Sequence, residues 1–316
     1  MHAFEGQDFL TMKNVGRSDL ELVFEVAREM EKTVLKRTRI SLLQDKILGT
    51  MFFQASTRTR ISFESAMQRL GGGVVGFSDP SMTRAGDYYG ESIGDTTRMM
   101  EHYADVLVIR HPHDFAPAEA AAATGVPVVN AGDGYNEHPT QALLDLYTIL
   151  REKGRLDGLD VALVGDLNIR GMHSLPLGLA QFQSRAYFIS PPDQCMPAPW
   201  LSEFQRAGLH YQEVSTIDDV LAKLDVIYLA MTKSADFRVS RVEPTTEKRK
   251  TPKEYVIDPE KLKRANPEVI LLHPLPRTSE LPEDVDPMGN ARYFVQSYYG
   301  VAVRMALLAL ILGRAP

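Results

Sequence analysis

Ile47-Leu48-Gly49-Thr50-Met51-Phe52-Phe53-Gln54-Ala55-Ser56-Thr57-Arg58-Thr59-Arg60 runs from an apolar stretch of strand character straight into a cluster of hydroxyls and guanidinium groups. Behind it Phe63, Ala66, Met67 and Leu70 recur at helical spacing, and Gly71-Gly72-Gly73 stops the helix. A strand that hands the chain to a helix N-terminus is half of a parallel α/β unit. The free N–H groups and the dipole of a first helical turn favour an anion, and Ser56, Thr57, Arg58 and Thr59 add donors at that spot. Arginine brings a bidentate fork suited to phosphate oxygens. Taken alone, the segment also reads as an ordinary helix start capped by Ser56 with solvated arginines. It is not a P-loop, because the Gly-x-x-x-x-Gly-Lys spacing is absent.

Outward from this unit the same alternation continues. Val74 to Ser78, Val106 to Ile109 and Pro127 to Asn130 read as further strands of the first half, separated by helices. Ser18-Asp19-Leu20-Glu21 looks like a capping box opening a helix to about Lys32. A helix from Glu137 to about Lys153 carries Ala142, Leu143, Leu146 and Ile149, ends at Gly154, and is read as a bridge. The second half restarts with Val161 to Val164, Ala186 to Ile189, Val226 to Ala230 and Val269 to Leu272. The expected fold class is therefore α/β, with two doubly wound parallel-sheet domains at 1–134 and 155–296 joined by that helix. A terminal helix from Tyr299 to Leu312 is expected to pack back on the first domain. The stretches Asp236 to Pro252 and Thr278 to Pro287 read as loops.

A length of 316 residues suits two domains, and the cleft between two domains is the usual place for a small ligand. The formal charge of −6 and the lack of a basic cluster argue against a nucleic-acid partner. Cys195 is the single cysteine, which excludes an internal disulfide and a multi-thiolate zinc site and fits a reducing cytoplasm. No run approaches the ~18 consecutive apolar residues of a membrane span. Met1 to Gly16 lacks the apolar core of a signal peptide, so a cytoplasmic location with no membrane partner is expected.

Three more segments end strands or open helices: Arg110-His111-Pro112, His138-Pro139-Thr140-Gln141 and His273-Pro274-Leu275-Pro276-Arg277. Ligands of open parallel sheets gather at the carboxyl ends of strands, so these segments can face one crevice. His111-x-His113 lacks a third ligand for a metal. The set Ser56-Thr57-Arg58-Thr59-Arg60, Arg110-His111-Pro112, His138-Pro139-Thr140-Gln141 and His273-Pro274-Leu275-Pro276-Arg277, in this order, resembles the aspartate/ornithine carbamoyltransferase family over nearly the whole chain. Val75-Gly76-Phe77-Ser78-Asp79, Asn130-Ala131-Gly132-Asp133-Gly134 and Leu143-Leu144-Asp145-Leu146 resemble its aspartate branch.

The resemblance implies a first domain binding carbamoyl phosphate and a second binding an amino-acid acceptor. Ser56, Thr57, Arg58 and Thr59 would hold the phosphate, Arg110 would bridge phosphate and carbonyl oxygen, and His138 with Thr59 would polarise the carbonyl. Gln141 and the carbonyls of Pro274 and Leu275 would orient the carbamoyl NH₂, with no cofactor and no metal. The implied reaction carbamoylates L-aspartate on the route to pyrimidines, and the implied assembly is a homotrimer with shared active sites. Arg170 falls where the aspartate enzymes place an arginine facing the α-carboxylate. Two departures touch the acceptor. Met231-Thr232-Lys233-Ser234-Ala235 stands where the family has an arginine and a glutamine, and lysine lacks the arginine fork. Asp79 to Glu91 contains no lysine, leaving Arg84 as the cation of the segment that reaches the neighbouring subunit's site in relatives. A different amine acceptor, and a catalytically silent homologue acting as an assembly partner, are the alternatives.

Overall fold

The structure is a computed structural model that describes residues 4–86, 89–232, 236, 238 and 250–315. Its contacts divide the chain into two compact units, one of residues 1–140, 236–242 and 298–316 and the other of 141–235 and 243–297. Among the described residues, every pairing between strands is parallel, within one sheet in each unit.

In the first unit α1 (Arg17–Leu35) precedes β1 (Ile47–Phe52), α2 (Arg58–Arg69), β2 (Gly73–Phe77), α3 (Ile93–Glu101), β3 (Val106–His111), α4 (Ala116–Ala122) and β4 (Val128–Asp133). The sheet order is β2-β1-β3-β4. The chain thus leaves β1 for a neighbour on one side and later returns to pair on the other, which makes the carboxyl end of β1 a topological switch point. There Phe52 pairs with Arg110, and the Phe53 N–H donates to the Arg110 carbonyl at 2.9 Å. β1 and β3 bury nearly all their residues, as a strand covered on both faces must. α2 ends as its glycines predict: Gly72 N–H donates to the Met67 carbonyl and Gly71 N–H to that of Gln68, with Gly71 at φ +88°.

The second unit begins at Gln141, inside α5 (Pro139–Lys153). It continues through β5 (Asp160–Val164), α6 (Arg170–Ala180), β6 (Arg185–Ile189), α7 (Ala198–Arg206), β7 (His210–Glu213), β8 (Val226–Leu229), α8 (Pro259–Lys263) and β9 (Ile270–Leu272). Its order, β7-β6-β5-β8-β9, puts a second switch point at the end of β5. Ala162, Val164, Tyr187, Ile189, Ile227, Leu229 and Leu271 meet α8 and the segments around Ile217 and Val285 in one apolar core. α9 (Tyr293–Ile311) closes the chain, and its residues from Tyr298 on belong to the first unit. By length and composition α9 could cross a membrane, but 72% of its apolar window is buried inside the protein. Arg304, buried on this helix, lies 5.0 Å from the Phe63 ring centroid of α2.

Four sequence readings need correction. α1 starts at Arg17 behind Gly16, whose N–H donates to Asp19 Oδ2 at 3.0 Å, so Asp19 caps from the third helical position and Ser18 is not the cap. It also runs past Lys32 to Leu35. β7 was not foreseen, because an exposed edge strand reading His-Tyr-Gln-Glu has no apolar alternation. α9 begins at Tyr293 rather than Tyr299, because Gln296, which reads as polar, is buried with both ends of its amide hydrogen-bonded.

At the β5 switch point Gly165 sits at φ +121°, and a Cβ there would lie 2.2 Å from the Ala230 carbonyl oxygen. Gly165→Ala is expected to cost about 2 kcal/mol or more, from left-handed strain plus the clash with β8's continuation. A urea midpoint matching wild type would contradict that account of the turn.

Candidate active site

The first unit assembles most of the anion-binding candidates. α2 starts at Arg58 after a cap at Thr57 that makes no side-chain cap bond, so Ser56, Thr57 and Arg58 occupy the turn delivered by β1. Thr59 is buried, and its Oγ1 lies 3.3 Å from His138 Nε2. Arg110, at the end of β3, donates from Nε to Gln54 Oε1 at 3.2 Å and from Nη1 to the Ala131 carbonyl at 3.5 Å. Its guanidinium is thereby held beside the residues that follow β1. Burial lowers the Arg58 pKa, although its side chain still reaches solvent; arginine stays charged in either setting.

His138 is set in place by a buried polar network that the spacing of residues did not reveal. Asp133 Oδ1 accepts from Asn130 Nδ2 at 2.9 Å and from the Glu137 N–H at 3.1 Å, while Oδ2 accepts from the Phe115 N–H at 2.7 Å. Asn130 Oδ1 accepts from the Gly132 N–H at 2.8 Å. Glu137, 1% exposed, accepts from the Met12 N–H at 2.9 Å and from the Thr11 hydroxyl. Tied down in this way, the β4–α5 connection presents His138 as the residue just before the helix.

In the second unit Gln141 Nε2 donates to Asp145 Oδ1 at 2.8 Å, one turn along α5. Asp145 is fully buried and also accepts from Gln296 Nε2 at 2.6 Å, and Gln296 Oε1 accepts from the His273 N–H at 2.9 Å. Tyr228 is buried near this carboxylate; burial first, then the Asp145 charge, raises its phenol well above the usual range and keeps it neutral. Pro274 and Leu275 follow β9 and are half-buried, with Leu275 at φ +56°. The Leu275 N–H, which can only donate, points to His273 Nδ1 at 2.8 Å. The ring proton therefore sits on Nε2, 3.1 Å from Glu280 Oε1. Burial pushes the Glu280 pKa up, but the bonds from His273 and Thr278 outweigh it and leave the carboxyl below its ordinary value.

Arg170 opens α6 and is 4% exposed, following the turn in which Asp166 Oδ1 accepts from the Asn168 N–H at 3.0 Å. Lys233 lies outside the described residues, as do Asp87 and Tyr88. Arg84 is exposed, with its guanidinium 5.0 Å from the Tyr89 ring centroid. Arg238 grips Asp236, Nε to Oδ1 at 3.0 Å and Nη2 to Oδ2 at 3.2 Å.

The family profile described as "Aspartate/ornithine carbamoyltransferase, carbamoyl-P binding domain" matches residues 7–151, and that described as its "Asp/Orn binding domain" matches 157–311. The chain belongs to the aspartate/ornithine carbamoyltransferase family. Within that family it is 44% identical to the aspartate carbamoyltransferase catalytic subunit of Methanopyrus kandleri, over 99% of each chain. It is 42% identical to that of Thermococcus kodakarensis over 98% of each. The aspartate transcarbamoylase of Trypanosoma cruzi, solved with carbamoyl phosphate and aspartate, superposes with a TM-score of 0.86 at 34% identity and covers 98% of both chains. The M. jannaschii catalytic subunit gives a TM-score of 0.83 at 38% identity over 96% of both.

In this carbamoyltransferase His111 follows Arg110 but turns away from solvent. Its ring packs 4.7 Å from that of Phe53, and its Nδ1 accepts from the His113 N–H at 3.0 Å. Burial, then the nearby His113 charge, lowers its pKa to about 4. Because this is below the unfolded value of 6.5, the unfolded chain binds the extra proton first. The stabilisation is therefore complete above pH 6.5 and is lost as pH falls towards 4. His111→Asn keeps an acceptor near Nδ1 and should flatten the loss of stability across that window by on the order of 1 kcal/mol per pH unit, read from urea midpoints. An unchanged slope would remove His111 as its source.

Proposed function

We infer that the chain transfers the carbamoyl group of carbamoyl phosphate to the amine of L-aspartate, giving N-carbamoyl-L-aspartate and phosphate, a step of pyrimidine biosynthesis. The observation that carries the mechanism is the Thr59–His138 pair, a hydroxyl and an imidazole joined at the heads of two helices beside the arginine-bearing turn. Carbamoyl phosphate brings a dianion and a carbonyl. On this reading Ser56, Thr57, Arg58 and the first N–H groups of α2 take the phosphate, and Arg110 reaches both phosphate and carbonyl oxygen. Thr59 and His138 donate to the carbonyl oxygen as the neutral amine adds to carbon. The C–O bond to phosphate then breaks, and the leaving phosphate accepts the amine proton. Gln141 and the carbonyls of Pro274 and Leu275 accept from the carbamoyl NH₂, while Arg170 and Lys233 face the acceptor's carboxylates.

The test is phosphate release from carbamoyl phosphate with a panel of amines, aspartate first. The absence of lysine from Asp79 to Glu91 and the Lys233 substitution favour one rival, an acceptor other than aspartate. Release with another amine but not aspartate would establish that rival. No release with any amine would leave a silent assembly partner. His138→Ala should lower kcat about 100-fold or more with donor affinity nearly unchanged, because a carbonyl-polarising donor acts in the transition state. An effect confined to donor affinity would take His138 out of that role.

A homotrimer with shared sites is part of the same reading, supported by Met82 and Tyr89 standing 84% and 71% exposed beside Arg84. Arg84 would then enter a neighbour's site and replace the missing lysine. Arg84→Ala and Arg58→Ala should each be nearly inactive alone and recover part of the activity when mixed, since a hybrid trimer holds some sites with both arginines intact. A fully active Arg84→Ala chain, or mixtures that stay inactive, would refute the borrowed arginine.

A further inference from the structure

We propose that Asp145 is a positioning residue that sets which end of the Gln141 amide faces the carbamoyl group, because its carboxylate can only accept, and that the relay through Gln296 to the His273 backbone holds this carboxylate in place. The inference rests on the reading that Gln141 accepts from the carbamoyl NH₂. A glutamine amide offers a donor on one end and an acceptor on the other, and nothing in the residue itself chooses between them. Presented to an NH₂ group, the wrong end sets donor against donor.

The choice is made at the Asp145 carboxylate, and a relay behind it converges on the same oxygen. The His273 N–H can only donate, and it donates to Gln296 Oε1 at 2.9 Å. Gln296 must then turn Nε2 outward, and it meets Asp145 Oδ1 at 2.6 Å. A carboxylate oxygen has no proton to give, so Gln141 can bond to it only through Nε2, as it does at 2.8 Å. Gln141 Oε1 is the end of the amide that Asp145 does not engage. Asp145, Gln296 and His273 are each no more than 1% exposed, so water does not compete to reverse the order. The same relay ends on the residue that begins the Pro274–Leu275 segment, whose other tie is the Leu275 N–H to His273 Nδ1. The relay thus links Gln141 to the segment that carries the other acceptors assigned to the carbamoyl NH₂.

A merely structural role for Asp145 would weaken all donors alike, whereas an orienting role is felt only by a donor that carries the NH₂. Acetyl phosphate, with CH₃ in its place, is the probe. For Asp145→Leu, the preference for carbamoyl over acetyl phosphate, measured as the ratio of dissociation constants by titration calorimetry, should fall about tenfold, the scale of one hydrogen bond lost to a flipped amide. Asp145→Asn keeps a carbonyl oxygen that Gln296 will select, and should hold the ratio within about threefold of wild type, well inside the loss from a whole hydrogen bond. Equal weakening of both donors, an unchanged ratio in Asp145→Leu, or an Asn variant as indiscriminate as the Leu variant would overturn the proposal. Should Asp145→Leu not fold, Asp145→Asn with Gln296→Leu decides the matter: freed from the far-end polarity, it should lose the preference that Asp145→Asn alone retains, and retention would refute the relay. A wild-type chain that shows no preference for carbamoyl phosphate would refute the assignment of Gln141 itself, a result distinct from failure of the relay.

Discussion

Parallel pairing of the described strands is the constraint on which the rest of the protein depends. A parallel strand returns to its sheet only through a crossover, and the crossovers cover both faces, so the central strands become apolar throughout and polar chemistry is displaced to their carboxyl ends. In each unit the strand order reverses about one strand, β1 in the first and β5 in the second. β1 delivers Gln54 to Arg60 next to Arg110 of β3, and β5 delivers Gly165 to Arg170 next to the residues that follow β8. The functional candidates do not decorate the fold at random; they occupy the positions that a buried parallel sheet leaves open.

Those positions still have to be held rigid, and buried polar networks do this. Asp133, Asn130 and Glu137 tie the β4–α5 connection to the segment around Thr11 and to the start of α4. His273 and Glu280 brace the turn after β9, joined by the Leu275 N–H and by Thr278. Each such group, left without a partner, would cost about 1–3 kcal/mol, so their near-complete pairing ties local stability to site geometry. The Asp145 relay belongs with these networks.

The strands of both cores were legible because runs such as Val106–Ile109 and Val161–Val164 are unbroken, β-rich and bounded by turn residues. The α2 terminus was legible from its three glycines. β7 was not, since an edge strand has no obligation to be apolar. The first turn of α9 was hidden for the opposite reason, a polar residue inside the core whose partners come from α5 and from the end of β9. Among the candidate site residues, Ser56 to Thr59, Arg110 and His138 could be named from residue type and placement before a strand-end or helix. Asp133, Glu137, Asp145 and Gln296 could not, because their work is to bond to groups distant in sequence.

By itself the sequence determined the two parallel α/β halves, the phosphate-suited turn and the family, because these depend on local periodicity, helix-start chemistry and ordered motifs along the chain. Tertiary structure alone decided that Thr59 meets His138, that Arg110 is steadied by Gln54, and that Gln296 reaches Asp145. The physical reason is that a hydrogen bond needs two groups within about 3 Å at a suitable angle. Composition and spacing can supply the groups, but only the packed fold sets their distance and the direction in which each donates.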